Sequence, residues 1–275
     1  MKILLRIART ELAILFYSPI AWFIWIVFSY ICASDFVSNF ESSLNYRELN
    51  GYGDPSSLTY SLFLHTMGGY LQGIVGNLYI YTPLLTMGLL SRETASGSIK
   101  LLYSSPVNSI QIVLGKFLSM VVFALIFLVI LALPMIALDY TTPNSDIPLI
   151  LAALLAMFLL ILTYCSVGLF MSTLTSYQIV AAVATFSTLT FLNYIGKIGQ
   201  TSPFLRDITY WLSLKGRASE MVGGLICSDD IVYFLVVIAM FLAFSVIILN
   251  NEKTHRPWWN RSLRYVGVLA CAVVI

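Results

Sequence analysis

Thirteen carboxylates, two histidines and four cysteines hold most of the reactive side chains of this 275-residue chain, and their spacing builds no catalytic set. Cys32, Cys165, Cys227 and Cys271 are scattered, with no CxxC pair and no histidine beside them, so they read as small apolar packing residues rather than metal ligands. No HExxH occurs, and no pair of aspartates falls within apolar stretches where intramembrane hydrolysis would need it. Asp35, Asp139 and His65 lie toward the ends of apolar stretches and read as hydrated helix-end groups. The expected catalytic residues are therefore none, and so are the expected metal ligands.

The spacing that does carry chemistry suits docking. Between two apolar stretches runs a polar segment from Ser91 to Lys116. Its pattern predicts a short helix over 95–103 with Ile99 and Leu102 on one side. That helix stops before Ser105-Pro106, because the residue preceding proline is pushed out of the helical region, and the chain restarts as a helix over 109–116. The product is a compact, partly apolar knob on a polar surface. Exposed apolar side chains at helical spacing suit a helix-in-groove contact with a partner protein. The plain alternative is a helical connection between two membrane spans.

The elements that must position this knob follow from composition. The chain is 59% hydrophobic and 10% charged, with a mean hydropathy of +0.88, whereas soluble domains carry roughly 25% charged residues. Its solvent is lipid. In lipid a span must satisfy its own backbone hydrogen bonds, which takes about 20 apolar residues in a helix. Six such segments are expected, at 20–37, 67–90, 117–138, 148–171, 179–196 and 231–249. The fold class is thus all-α and membrane-embedded. Ahead of the first span, residues 1–17 mix Lys2, Arg6, Arg9 and Glu11 with Ile3, Leu4, Ile7, Leu12 and Leu15, then break at Ser18-Pro19, which predicts an amphipathic helix lying in the bilayer interface. Residues 1–250 form the transmembrane domain on this reading. Residues 251–275 form a basic tail and the start of a seventh membrane segment, whose ten apolar residues are too few to cross.

Charge placement orients the chain. With the N-terminus in the cytoplasm, ten of the fifteen basic residues fall in inner segments and ten of the thirteen acidic ones fall outside, as the positive-inside rule requires. Trp22, Tyr30, Tyr79, Tyr81, Tyr210, Trp211, Trp258 and Trp259 sit near the expected interfaces and anchor helices there. Gly69 and Gly73 form a small-xxx-small pair at the start of the second span, suited to helix packing or to a subunit contact. The Ser and Thr residues of the fifth span suit interhelical hydrogen bonds. No basic and aromatic groove suits nucleic acid.

At Glu93, Gly97, Ser98, Leu101, Leu102, Ser105, Pro106, Val107, Leu114, Gly115 and Lys116 the chain resembles the permease subunits of type-2 ABC exporters. The stretch around Gly168, Ser172 and 174–178 is similar to gliding-motility-associated permeases and to those linked to copper-enzyme maturation. The resemblance implies that the segment holding Glu93, Gly97, Ser98, Ile99, Leu101, Leu102, Ser105 and Pro106 couples to a separate cytoplasmic ATPase subunit. No GxxxxGKS/T phosphate loop occurs in this chain, so this chain binds no cofactor and ATP with Mg sits on the partner. The resemblance also implies a second permease subunit, identical or not, an accessory protein on the outer side, and residence in the inner (plasma) membrane. The rival readings are a multispan scaffold or mechanical anchor and an ion-coupled carrier. The second is disfavoured because the six expected spans hold no Asp, Glu, His, Lys or Arg apart from Asp35, which falls near the outer end of the first.

Overall fold

A computed structural model describes residues 2–50, 69–99, 104, 107–141, 147–197, 209, 212–225 and 227–254. The regular elements among them are all helical: α1 (Lys2–Tyr17), α2 (Pro19–Asn50), α3 (Tyr70–Thr86), α4 (Ser91–Ser96), α5 (Ser109–Thr141), α6 (Ile147–Leu174), α7 (Gln178–Tyr194), α8 (Leu214–Val222) and α9 (Ser228–Thr254), with a 3-10 turn at Ile195–Lys197.

Among the described residues, five helical stretches are long and apolar enough to cross a bilayer: 19–45, 70–96, 109–137, 147–174 and 228–251. The chain is a multi-pass membrane protein. The remaining expected span, 179–196, is helical as α7, but its 17 residues rise only about 26 Å against a hydrocarbon core of about 30 Å. It therefore stands outside this set of five.

α6 is the axis of the fold. It packs against α3, α4, α5, α7, α8 and α9, and every residue from Leu159 to Leu169 is buried. A helix that is apolar all round belongs in the middle of a bundle. α2 runs on past the expected end at residue 37 to Asn50, and α5 is one unbroken helix in which the expected restart at 109–116 and the expected span are continuous. At roughly 1.5 Å per residue its 33 residues reach about 50 Å, more than the hydrocarbon core needs. α1 packs against α5 and, more lightly, against α2.

The close approaches between helices fall at glycines other than the expected pair. A Cβ on Gly73 would lie 3.7 Å from Asp35 Oδ2, an ordinary contact, and Gly73 is exposed. Gly69 is the N-cap of α3. By contrast, a Cβ on Gly168 would lie 2.6 Å from Thr86 Cβ and one on Gly115 would lie 2.8 Å from Ile7 Cγ2. Gly168 lets α3 touch α6, and Gly115 lets α1 touch α5.

Overpacking of this kind costs about 1–3 kcal/mol, so Gly168→Ala is expected to lower the thermal unfolding midpoint of the detergent-solubilised protein by several degrees. Gly73→Ala is expected to leave it unchanged. Adding Thr86→Ala to the first variant should recover part of the loss.

Candidate functional site

The site is built at one end of the bundle, where α3 stops and the polar segment begins. Proline at position 83 removes a backbone donor inside α3, and the helix ends three residues later at Thr86. The chain then turns through Met87 to Leu90 into α4. Such a break leaves backbone groups unpaired in a buried place. Ser172 of α6 takes them up: its Oγ accepts from Leu90 N–H at 2.9 Å and from Ser91 N–H at 3.0 Å, and donates to Met87 O at 3.3 Å. One hydroxyl from a neighbouring helix thus caps the turn.

Below the turn lies an ionic node. Lys116 of α5 is 1% exposed, and its ammonium donates to Glu11 Oε1 of α1, to Glu93 Oε1 of α4 at 2.7 Å and to Leu89 O at 2.6 Å. Three donors meet three acceptors, which is the full capacity of an ammonium group. Glu11, 3% exposed, holds a second cation through its other oxygen, Arg92 Nη2 at 3.4 Å. Two carboxylates and two cations make the node neutral. Neutrality and hydrogen bonding are what allow charges to remain ionised away from water. Gly115 beside Lys116 is the residue that lets α1 come near enough for Glu11 to reach it.

The expected helix over 95–103 is interrupted at Gly97, Ile99 is helical again, and residues 100–103 lie outside the described residues. The structure places α4 at Ser91–Ser96, and Gly97 ends it with φ +73, donating its N–H to Thr94 O at 3.2 Å. Glycine takes that left-handed conformation without the clash a Cβ would bring, so it terminates α4 and sets a turn ahead of Ile99. Ser98 Oγ donates back to Glu93 O at 3.3 Å and bonds Ser96 Oγ at 2.8 Å, folding the residues after the glycine onto α4. Ile99 is 8% exposed and belongs to the buried core. It is therefore an internal anchor of the segment rather than an exposed one. Leu101, Leu102, Ser105 and Pro106 lie outside the described residues. Where the chain resumes, Val107 O accepts from Lys253 Nζ at 3.4 Å and Ser109 Oγ bonds Asn250 Oδ1 at 2.8 Å, so the far end of the segment is tied to α9.

Of the expected site residues, the structure brings Glu93, Gly97, Ser98 and Ile99 into one place and leaves Gly69 and Gly73 elsewhere. Sequence reasoning missed Glu11 and Ser172 as members. A signal existed for the first: Glu11 falls on the face of α1 shared by Ala8 and Leu15, all three buried, and an acid on an apolar face calls for a buried cation. At the other end of the bundle a second buried pair, Arg217 to Asp230 at 2.8 Å, ties α8 to α9, with the Arg217 guanidinium 4.5 Å from the Tyr233 ring centre. Among the described residues no group of histidine, cysteine and carboxylate side chains is placed to hold a metal ion.

A family model described as ABC-2 family transporter protein matches residues 5–202 of the chain, which takes in α1, the turn, the ionic node and everything through α7. None of the curated proteins matches the chain.

Removing one partner of a buried ion pair costs about 3–5 kcal/mol, because the other charge is left uncompensated. Lys116→Met is accordingly expected to lower the thermal midpoint more than any exposed lysine substitution does. Adding Glu11→Gln should cost far less than the sum of the two single changes, a coupling that a double-mutant cycle reads directly.

Proposed function

The chain belongs to the ABC-2 family of transporter proteins, and from that premise we propose that it is the permease subunit of an ATP-driven exporter in which residues 87–107 receive the movement of a separate ATPase subunit. The observation that carries this reading is the ionic node. A segment meant to pass a partner's movement into a bundle must be held to several helices at once, and this one is fixed to α1 and α5 through Lys116, to α6 through Ser172 and to α9 through Val107 and Ser109.

On this reading the N-terminus and the node face the cytoplasm of a cell's inner membrane, supported by the excess of basic residues in the same connections. α7 crosses as a sixth span with its 3-10 extension included. ATP and Mg are bound by the partner ATPase, and a second permease subunit completes the path. Glu93 and Ile99 serve inside the chain, the first as a partner of Lys116 and the second as a core anchor, while the side chains that meet the ATPase come from residues 100–106. The likeness to gliding-motility-associated permeases is one of ancestry.

The test separates those two roles. The chain is purified with candidate ATPase subunits from the same cell, reconstituted in lipid, and assayed for ATP hydrolysis. Leu101→Asp with Leu102→Asp is expected to abolish ATPase association with the permease's own thermal midpoint unchanged. Association and hydrolysis indifferent to that change would sink the docking assignment and leave a membrane scaffold as the better reading.

A further inference from the structure

The N-terminal helix has a second face that the coupling proposal leaves unused. On α1, Ala8, Glu11 and Leu15 are buried against the bundle. Lys2, Arg6 and Arg9 follow at i, i+4 and i+7 and are all exposed, which at about 3.6 residues per turn places them as a stripe on the opposite side. Among the described residues the ion pairs belong to Arg92, Lys116 and Arg217, and none reaches the stripe.

What lies beside the stripe decides its partner. Leu5 is 56% exposed, and Tyr17 is 89% exposed. At the corner between α1 and α2, Trp22 is half-exposed and its indole N–H donates to Phe16 O at 2.8 Å, fixing the ring at the bend. An acidic protein surface would satisfy the three cations and leave these apolar and aromatic groups in water. Hydrocarbon would accept the apolar groups and reject the cations. The headgroup layer of a negatively charged leaflet takes both: phosphates for the basic side chains, acyl chain ends for leucine and phenylalanine, and the boundary itself for tyrosine and tryptophan.

We propose that α1 is a docking surface for anionic phospholipid headgroups of the leaflet on the N-terminal side, recognised by Lys2, Arg6 and Arg9. The inference needs only the placement of α1, and stands whether or not an ATPase partner is found. Because Glu11 leaves the other side of the same helix toward Lys116, lipid seated on the stripe bears directly on the ionic node.

The experiment uses the full chain with Trp211→Phe, Trp258→Phe and Trp259→Phe, so that emission comes from Trp22 and Trp25 at the corner. It is reconstituted in phosphatidylcholine bilayers to which brominated phosphatidylglycerol or brominated phosphatidylcholine is added, and the quenching curves give relative binding constants. Each basic residue near an anionic surface contributes about 1 kcal/mol, roughly fivefold when fully engaged. A preference of at least about threefold for the anionic lipid is therefore expected, weakening as salt rises. The triple variant Lys2→Gln, Arg6→Gln, Arg9→Gln should bring the ratio to about one, while the charge-conserving variant Lys2→Arg, Arg6→Lys, Arg9→Lys should keep the preference. A ratio of about one in the unaltered stripe, or a preference that survives the glutamine variant, overturns the proposal. So does an unchanged ratio accompanied by loss of a bound ATPase, which would assign the stripe to an acidic protein surface.

Discussion

The ammonium of Lys116 is the point on which one end of this bundle depends. A lysine this deeply buried is tolerable only if every proton is bonded and its charge is matched. Meeting both conditions requires three separate pieces of chain to converge: α1 for Glu11, α4 for Glu93 and the turn for Leu89 O. None of the three can shift alone without leaving a buried charge or donor unpaired. A surface ion pair would allow such a shift at little cost, since exposed pairs contribute about 0–1 kcal/mol. Burial of Lys116 and Glu11, with Glu93 and Arg92 bonded to them, is what makes the node a mechanical joint.

The rest of the architecture serves that convergence. α6 supplies a buried axis and, at its end, the Ser172 hydroxyl that caps the broken backbone of the turn. Two glycines set the distances: Gly168 allows α3 to reach α6, and Gly115 allows α1 to reach α5. Helices in lipid gain little from apolar contact alone, so close backbone approach at small residues and satisfied polar groups carry the specificity of packing. The same logic recurs at the opposite end, where Arg217, Asp230 and Tyr233 bind α8 to α9.

Much of this was legible in the sequence because lipid imposes simple rules. Length and apolarity located every long helix among the described residues, and Ser18-Pro19 marked the break between α1 and α2. Spacing between the second and third spans pointed to the segment that the structure ties to α1, α5, α6 and α9. What could not be read was pairing across distance. Nothing local to Glu11 announces Lys116, 105 positions away, and Gly115 was legible as a family feature but not as the notch that admits Ile7. The expected helix over 95–103 is interrupted for a local reason instead: Gly97 takes a positive φ and ends α4 before the chain turns helical again at Ile99. Small residues mark where helices can approach, and within this chain the tight approaches include Gly168 and Gly115 but not Gly73.

If the node is a joint, α1, α4 and the start of α5 move as one body when an ATPase partner binds nucleotide. The direct measurement is the distance between spin labels at Ala13 and Ser96, both exposed, in the reconstituted complex with and without trapped nucleotide. The separation should stay constant across the cycle, and should broaden and become nucleotide-dependent in Lys116→Met. A distance that changes with nucleotide while Lys116 is intact would contradict the joint, and with it the claim that this end of the bundle receives the partner's movement.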